Sequence, residues 1–248
     1  MAQKIKFIAA SDLVYGVEDP PVPAKTVIPD WFKKIPPERE NRSVGSIVPR
    51  NFSTVKKCVP YLDALTTGYM LRIPQDINIV RDPISNEVFA HWGYSRFARY
   101  PNTKDEMIIF DTDKPLHRHE GLPVPPGYLT IPWRLEVYPT IETPKGYSSL
   151  ITHPFNRYDL PFLSLTGVID TDNLHVPLAV TLYLREDFVG ILEKGTPVAQ
   201  VLPFKRENWT HEVCPPYDDT TFHKTKFTIQ SNMIRSYSKN FWAKKSYD

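Results

Sequence analysis

The chain reads as a mainly β protein: an antiparallel β-sandwich, or a barrel of the β-clip or jelly-roll type, with one short helix in the N-terminal half and a second helix near the C-terminus. Three observations lead there. The 25 prolines outnumber the 10 glycines, and a proline inside a helix removes a donor and clashes with the preceding turn, so helices must be few and short. Thirteen Tyr, thirteen Phe and five Trp suit strands, where large flat side chains pack on a pleated surface. Between Glu142 and Trp209, short apolar runs alternate with Gly, Pro, Asn and Asp, the pattern of tightly connected antiparallel strands.

In chain order, Lys4–Ala9 is expected as an opening strand. Residues 1–52 read as an extended, Pro-rich segment, and within it Ile28–Lys34 can close a single helical turn that Trp31 and Phe32 would pin to the body of the domain. Ser53–Gly68 predicts the first helix. Val55, Cys58, Val59, Leu62 and Leu65 recur at helical spacing, Ser53 or Thr54 can cap the start, and Gly68 can end it in the left-handed conformation. Pro60 should kink or shorten it. The strands expected next are Tyr69–Ile73, Ile77–Val80, Glu87–His91, Met107–Phe110, Leu129–Tyr138, Ser148–Thr152, Leu163–Ile169, Leu178–Leu184 and Val198–Phe204, with turns at Asn86 and Gly195. Residues 163–204 are expected as one contiguous antiparallel sheet that turns at Asp170–Asn173. Thr225–Lys245 predicts the second helix, with Phe227, Met233, Ile234, Tyr237 and Phe241 on one side. The whole is expected as a single β-rich domain over 1–248, with its core at 53–210 and a tail or helix at 211–248.

A net charge of +2 is too small to attract nucleic acid or a membrane in bulk, so neither is expected as a partner. The basic residues of the last segment, Lys224, Lys226, Arg235, Lys239, Lys244 and Lys245, read as a solvated helix face. Cys58 and Cys214 have no neighbouring Cys or His at metal-ligand spacing and are expected as buried structural thiols. The start, MAQKIKFIAASDLVYG, lacks the apolar core of a signal peptide, and no run approaches the length of a membrane-spanning helix. A cytosolic protein is expected.

The chemically capable side chains concentrate in one stretch: His153, Asn156, Arg157, Asp159, Asp170 and Asp172. Asn and Asp in His153–Pro161 can bond nearby backbone and form a corner, and Arg157 can pair with Asp159 or Asp170. The same six residues are the candidate binding site, because His, Arg and two or three Asp in close sequence can shift one another's protonation. No Ser-His-Asp or Cys-His set, Gly-rich phosphate loop or Cys-based zinc motif is present. Catalysis is therefore not expected, and no cofactor is required.

Three resemblances add to this. His117-Arg118-His119-Glu120, followed by Pro144-Lys145-Gly146, His153 and Asn156, resembles the two metal motifs of the cupin superfamily. That resemblance implies a metal-dependent enzyme whose divalent metal ion is held by His117, His119 and His153, with Glu120 as a further ligand. Glu120 directly follows His119 and four prolines crowd the surrounding stretch, so the residues themselves predict a solvated loop there. Gly167-Val168-Ile169-Asp170-Thr171-Asp172 and Lys194–Val201 resemble two segments of the dUTPase family. Asn173 stands where that family has a stacking Tyr and Pro197 where it has an Arg, so the resemblance implies a nucleotide binder lacking hydrolysis. Finally, PDWFKKIP (29–36), TVKKCVPYLDALTTGY (54–69), TPKGYSSLITHPFNRYDLPF (143–162) and GTPVAQVLPFKRENW (195–209) are similar to an uncharacterised protein family of T4-like and other tailed phages, including cyanophages. Membership would imply a protein of the infected bacterial cytoplasm or the virion, a structural or binding role, and other virion proteins or further copies of itself as partners.

Overall fold

The computed structural model describes residues 3–9, 19–41, 50–92, 121–136, 139–216, 219–231 and 236–247. Among them are fifteen strands and four α-helices. The architecture is mainly β, antiparallel throughout and sandwich-like. The strand expected at Met107–Phe110 and the His117–Glu120 stretch lie outside the described residues. The chain divides into two compact units, residues 1–27 with 68–206, and residues 28–67 with 207–248.

The first unit holds four sheets. In the largest, β12 (Gly167–Ile169), β10 (Tyr147–Thr152), β15 (Pro197–Lys205), β5 (Tyr69–Arg72) and β2 (Val22–Pro23) lie side by side in that order. A second sheet sets β13 (Ala179–Leu184) between β11 (Phe162–Ser164) and β8 (Trp133–Glu136). A third sets β6 (Ile77–Arg81) between β14 (Gly190–Leu192) and β7 (Val88–Trp92), and β1 (Lys6–Ala9) pairs with β9 (Pro139–Glu142). All four contribute to one apolar core, which includes Leu71, Ile79, Leu135, Ile141, Ile151, Phe162, Leu182, Leu192 and Val201. The period-2 pattern explains this in β6, where Ile77 and Ile79 are buried and Asn78 between them is exposed. In β15 the register shifts between Pro197 and Ala199. At Pro203 only β10 pairs with β15, so a residue with no N–H is tolerated there.

Two expectations need correction in this unit. Leu163–Ile169 is two strands: β11 pairs with β13, and after Leu165 and Thr166 the chain passes to a different sheet, where β12 pairs with β10. Residues 163–204 therefore distribute over three sheets and do not form one contiguous sheet, because each short strand finds its apolar complement elsewhere. The turn expected after Ile169 is present, with the Asn173 and Leu174 amides donating to the Asp170 carbonyl at 3.0 and 2.9 Å. The turn expected at Asn86 is also present, with φ of +62°. Gly68 sits at φ +70°, and a Cβ there would collide with the carbonyl of Val201.

The second unit contains a hairpin and the helices. The hairpin pairs β3 (Glu38–Asn41) with β4 (Arg50–Ser53), where an unpaired extended segment was expected. Its sequences, EREN and RNFS, carry no apolar alternation to announce it. Helix α1 (Asp30–Lys34) is the expected turn, and it buries Phe32. The Phe32 ring stacks on Tyr61 with centroids 5.9 Å apart. Lys56 donates to the Phe32 and Lys33 carbonyls at 2.9 and 3.1 Å, and so satisfies the C-terminal end of α1 with a cation.

The helix expected over 54–67 is in two parts, a 3₁₀ turn at Val55–Lys57 and α2 (Val59–Thr66). Pro60 lies at the start of α2, where its missing N–H costs nothing, and that splits the segment. Thr54 caps the turn through its Oγ1, which accepts from the Lys56 amide at 3.3 Å. The expected inward face is also corrected. Leu65 is buried at 2% exposure, Val55 and Leu62 are half-buried, and Cys58, at the junction of the two parts, is exposed. Cys214 is exposed as well, so neither thiol is a core residue. The C-terminal helix expected at Thr225–Lys245 starts earlier, as α3 (Asp219–Ser231), and α4 (Ser236–Asn240) ends before Lys245. Of its expected apolar side, Phe227, Tyr237 and Phe241 are exposed, and Met233 and Ile234 lie outside the described residues.

Leu65→Ala is expected to cost about 2–5 kcal/mol, the range for a buried leucine. Cys58→Ala is expected to change stability by no more than about 0.5 kcal/mol, as befits an exposed position. Chemical denaturation of the two variants beside the parent checks both; equal midpoints for all three would show that Leu65 is not a core residue.

Candidate functional site

The six candidate residues fall into two hydrogen-bonded networks in the first unit. The first is the corner that follows β10. Asn156 turns the chain at φ +59°. The Arg157 amide donates to the Pro154 carbonyl at 3.2 Å, and the Leu160 amide to the Arg157 carbonyl at 3.3 Å, giving two overlapping turns. Leu160 then plugs into the core.

His153 lies inside this corner with both ring nitrogens engaged. The Ser164 amide donates to Nδ1 at 3.2 Å. An amide can only donate, so Nδ1 is unprotonated, and Nε2 carries the hydrogen and donates to the Arg157 carbonyl at 3.1 Å. The ring packs edge-on against Phe162, centroids 6.1 Å apart. Burial holds its pKa below the ordinary histidine value, opposed by the bond to the Arg157 carbonyl. Arg157 is itself buried and grips Asp159 through Nε and Nη2, each at 2.9 Å. The buried Gln200 of β15 accepts from the Phe155 amide at 2.9 Å through Oε1, so the corner is tied to the sheet. Tyr158 projects into solvent at the tip.

The second network gathers where β10 begins and β12 and β15 end. Asp172 is 2% exposed in its side chain. It accepts from the Gly146 amide at 2.8 Å and from both terminal nitrogens of Arg206, Nη1 at 2.8 Å. Arg206 and the Gly146 amide together hold its carboxyl down at about 2, against an ordinary value of 3.8. Asp170 is more open, at 61% exposure. It accepts from Ser148 Oγ at 2.6 Å and from Arg206 Nη1 at 3.3 Å. Behind them, the Thr171 hydroxyl meets those of Thr143 and Ser149 at 2.7 and 3.0 Å.

Arg157 therefore takes Asp159 as its partner, while Asp170 and Asp172 take Arg206. Reasoning from sequence missed Arg206, Ser148 and Gly146. Arg206 lies in the PFKRENW stretch, but nothing local ties it to a carboxylate 34 residues earlier. Chemically, Asp172 stays ionised at every ordinary pH and is too weak a base to move protons. His153 would have to release the Ser164 amide before it could ligate a metal. His117 and His119 lie outside the described residues, and among the described residues no group of three or more His, Cys, Asp or Glu is placed to hold a metal ion. The two segments that resemble dUTPases fall on β12 and β15, the strands that flank β10. No family model, curated protein or solved structure matches the chain.

The lowered pKa sets an acid-stability prediction. Because the folded-state value lies below the unfolded one, the contribution of Asp172 is complete above about pH 4 and is lost as pH falls toward about 2. Asp172→Asn is expected to be less stable than the parent at neutral pH by an amount that shrinks through that window. Denaturation midpoints of the two proteins between pH 7 and pH 2.5 check this; a difference that stays constant across the range would remove Asp172 as the titrating group.

Proposed function

We propose that this is a phage-encoded, non-catalytic structural or binding protein, associated with the virion and with further copies of itself. One observation carries the non-catalytic part: the ionisable groups that sequence singles out in 153–172 are bonded to one another, to the backbone, or to Ser148 and Arg206. His153 has no free lone pair, Arg157 and Asp159 close on each other, and Asp172 is clamped by Arg206. A catalytic group needs an open coordination or hydrogen-bonding position for its substrate, and at His153 and Asp172 these positions are taken. The assignment to phage and virion rests on the similarity of 29–36, 54–69, 143–162 and 195–209 to the tailed-phage family.

Mass spectrometry of purified phage particles, from a phage that encodes the chain, tests the placement; peptides of this protein in near-stoichiometric ratio to known particle proteins are expected. Peptides found only in the infected-cell lysate would overturn it. The same preparation should release no pyrophosphate from dUTP and hold no stoichiometric zinc, iron or manganese. Metal that disappears in a His117→Ala/His119→Ala variant would replace this reading with the metal-dependent enzyme.

A further inference from the structure

The charge of the chain is unevenly placed. Of its 30 Lys and Arg and 28 Asp and Glu, six cations and two acids fall in 219–248. That segment carries +4, and residues 1–218 together carry −2. Five of the six Phe, Tyr and Trp residues of the same segment are turned outward, and Tyr247 is half-buried. Phe222 is 56% exposed and Phe227 71%, and Tyr237, Phe241 and Trp242 are exposed too. Aromatic rings of a solvated helix face would be few, and those of a packed helix would be buried; here they are many and uncovered.

Cations and rings interleave. Lys226 follows Phe222 by four residues, and its Nζ lies 5.8 Å from the Phe222 ring centre. Lys224 precedes Phe227 by three residues, and the two share an open cleft of about 430 Å³ with Thr220 and His223. After α4 the order recurs, with Phe241 and Trp242 followed by Lys244 and Lys245. Lys245 also donates to Asp63 at 2.7 Å, which anchors this end of the segment.

We infer that the described parts of this segment, 219–231 and 236–247, form a binding surface for single-stranded nucleic acid. On α3, Phe222 and Phe227 each offer a flat ring for an unpaired base and, about one helical turn away, a cation, Lys226 or Lys224, for the adjoining phosphate. A duplex hides its base faces from such rings. A helix that lies on a membrane segregates its apolar residues from its cations. Phe222 and Phe227, five residues apart, instead point about 140° apart around the helix at ~100° per residue. Pairing with the same segment of a second copy would set +4 against +4. A polyanion is the partner that the charge favours.

Fluorescence anisotropy of a labelled oligo-dT of about 20 nucleotides, long enough for several contacts, titrated with the full chain at ~50 mM salt, tests the inference. Binding tighter than about 100 µM is expected, weakening as salt rises. Phe222→Ala/Phe227→Ala should weaken it by roughly 10-fold or more, since each stacked ring contributes at least several-fold. Lys224→Gln/Lys226→Gln should lower the slope of log K against log salt by about 1.4, at ~0.7 per phosphate contact. All four positions are exposed, and an unchanged thermal midpoint confirms that each variant is folded. No anisotropy change up to ~100 µM, the weak end of non-specific affinity, would overturn the inference. So would equal affinity for a duplex, or an unaltered affinity in the phenylalanine variant. Binding to anionic vesicles or self-association by sedimentation, with no oligonucleotide bound, would assign the surface to a membrane or to a second copy.

Discussion

Strand β10 has β15 along one side and β12 along the other, and its two ends are where the chain must leave the sheet. A strand so enclosed satisfies its own backbone groups, but the turns that flank it bring buried polar groups with them. Those groups have to find partners, because an unmatched buried donor or acceptor costs about 1–3 kcal/mol. At the start of β10, Gly146 and Asp172 meet, and Arg206 closes over both by accepting no hydrogen and donating two to the carboxylate. The Arg206 amide in turn donates to the Gly146 carbonyl at 2.8 Å. At the end of β10, His153 links the Ser164 amide to the Arg157 carbonyl, and Gln200 takes the Phe155 amide. The sheets join around these two closures.

The same constraint explains how a chemically rich stretch is used by the fold. Groups that could have served as a base, a ligand or a cation are held in geometries that satisfy the fold. Asp172 is a carboxylate that stays ionised until pH falls toward about 2, and His153 is an imidazole whose tautomer its neighbours determine. Side chains like these rigidify a corner, and a buried network that is fully satisfied specifies one arrangement of strands over others. Tyr158 and Asp170 face solvent at the edges of the two networks.

The C-terminal segment follows a different logic. A helix of 13 residues with its aromatic side chains exposed gains little from packing, and isolated helices of that length are marginal in water. Lys245 and Trp242 hold the far end to Asp63 of α2, the indole nitrogen donating at 2.9 Å. Along α3 and α4, Phe222, Phe227, Ile229 and Tyr237 turn their apolar surface outward. Surface of that kind is retained where something else covers it, and a ligand that binds only the ordered helix would stabilise it by mass action.

Much of the β structure could be read directly. Strands β5, β6, β7, β10, β13 and β15 fall within one or two residues of their expected bounds, because apolar alternation and turn residues are local signals. Local signals also carried the short helix at Asp30–Lys34 and the turns at Asn86 and Gly195. The hairpin β3–β4 escaped because Phe52 is its single apolar residue and no alternation announces it, and the inward face of α2 was misjudged because Pro60 starts a new helix and turns Cys58 outward. The corner at His153–Pro161 was legible as a turn, since Asn and Asp near Pro bend a chain wherever they stand. The sequence by itself determined that this is a β protein with few helices, for proline, aromatic content and period-2 runs act within a few residues. Only the tertiary structure decided which sheet each strand joins, that Asp172 belongs to Arg206, and that the C-terminal aromatics stay in solvent. Those outcomes depend on contacts between residues far apart in the chain, and no local pattern encodes which of several equally apolar strands, or equally charged partners, will be nearest once the core has closed.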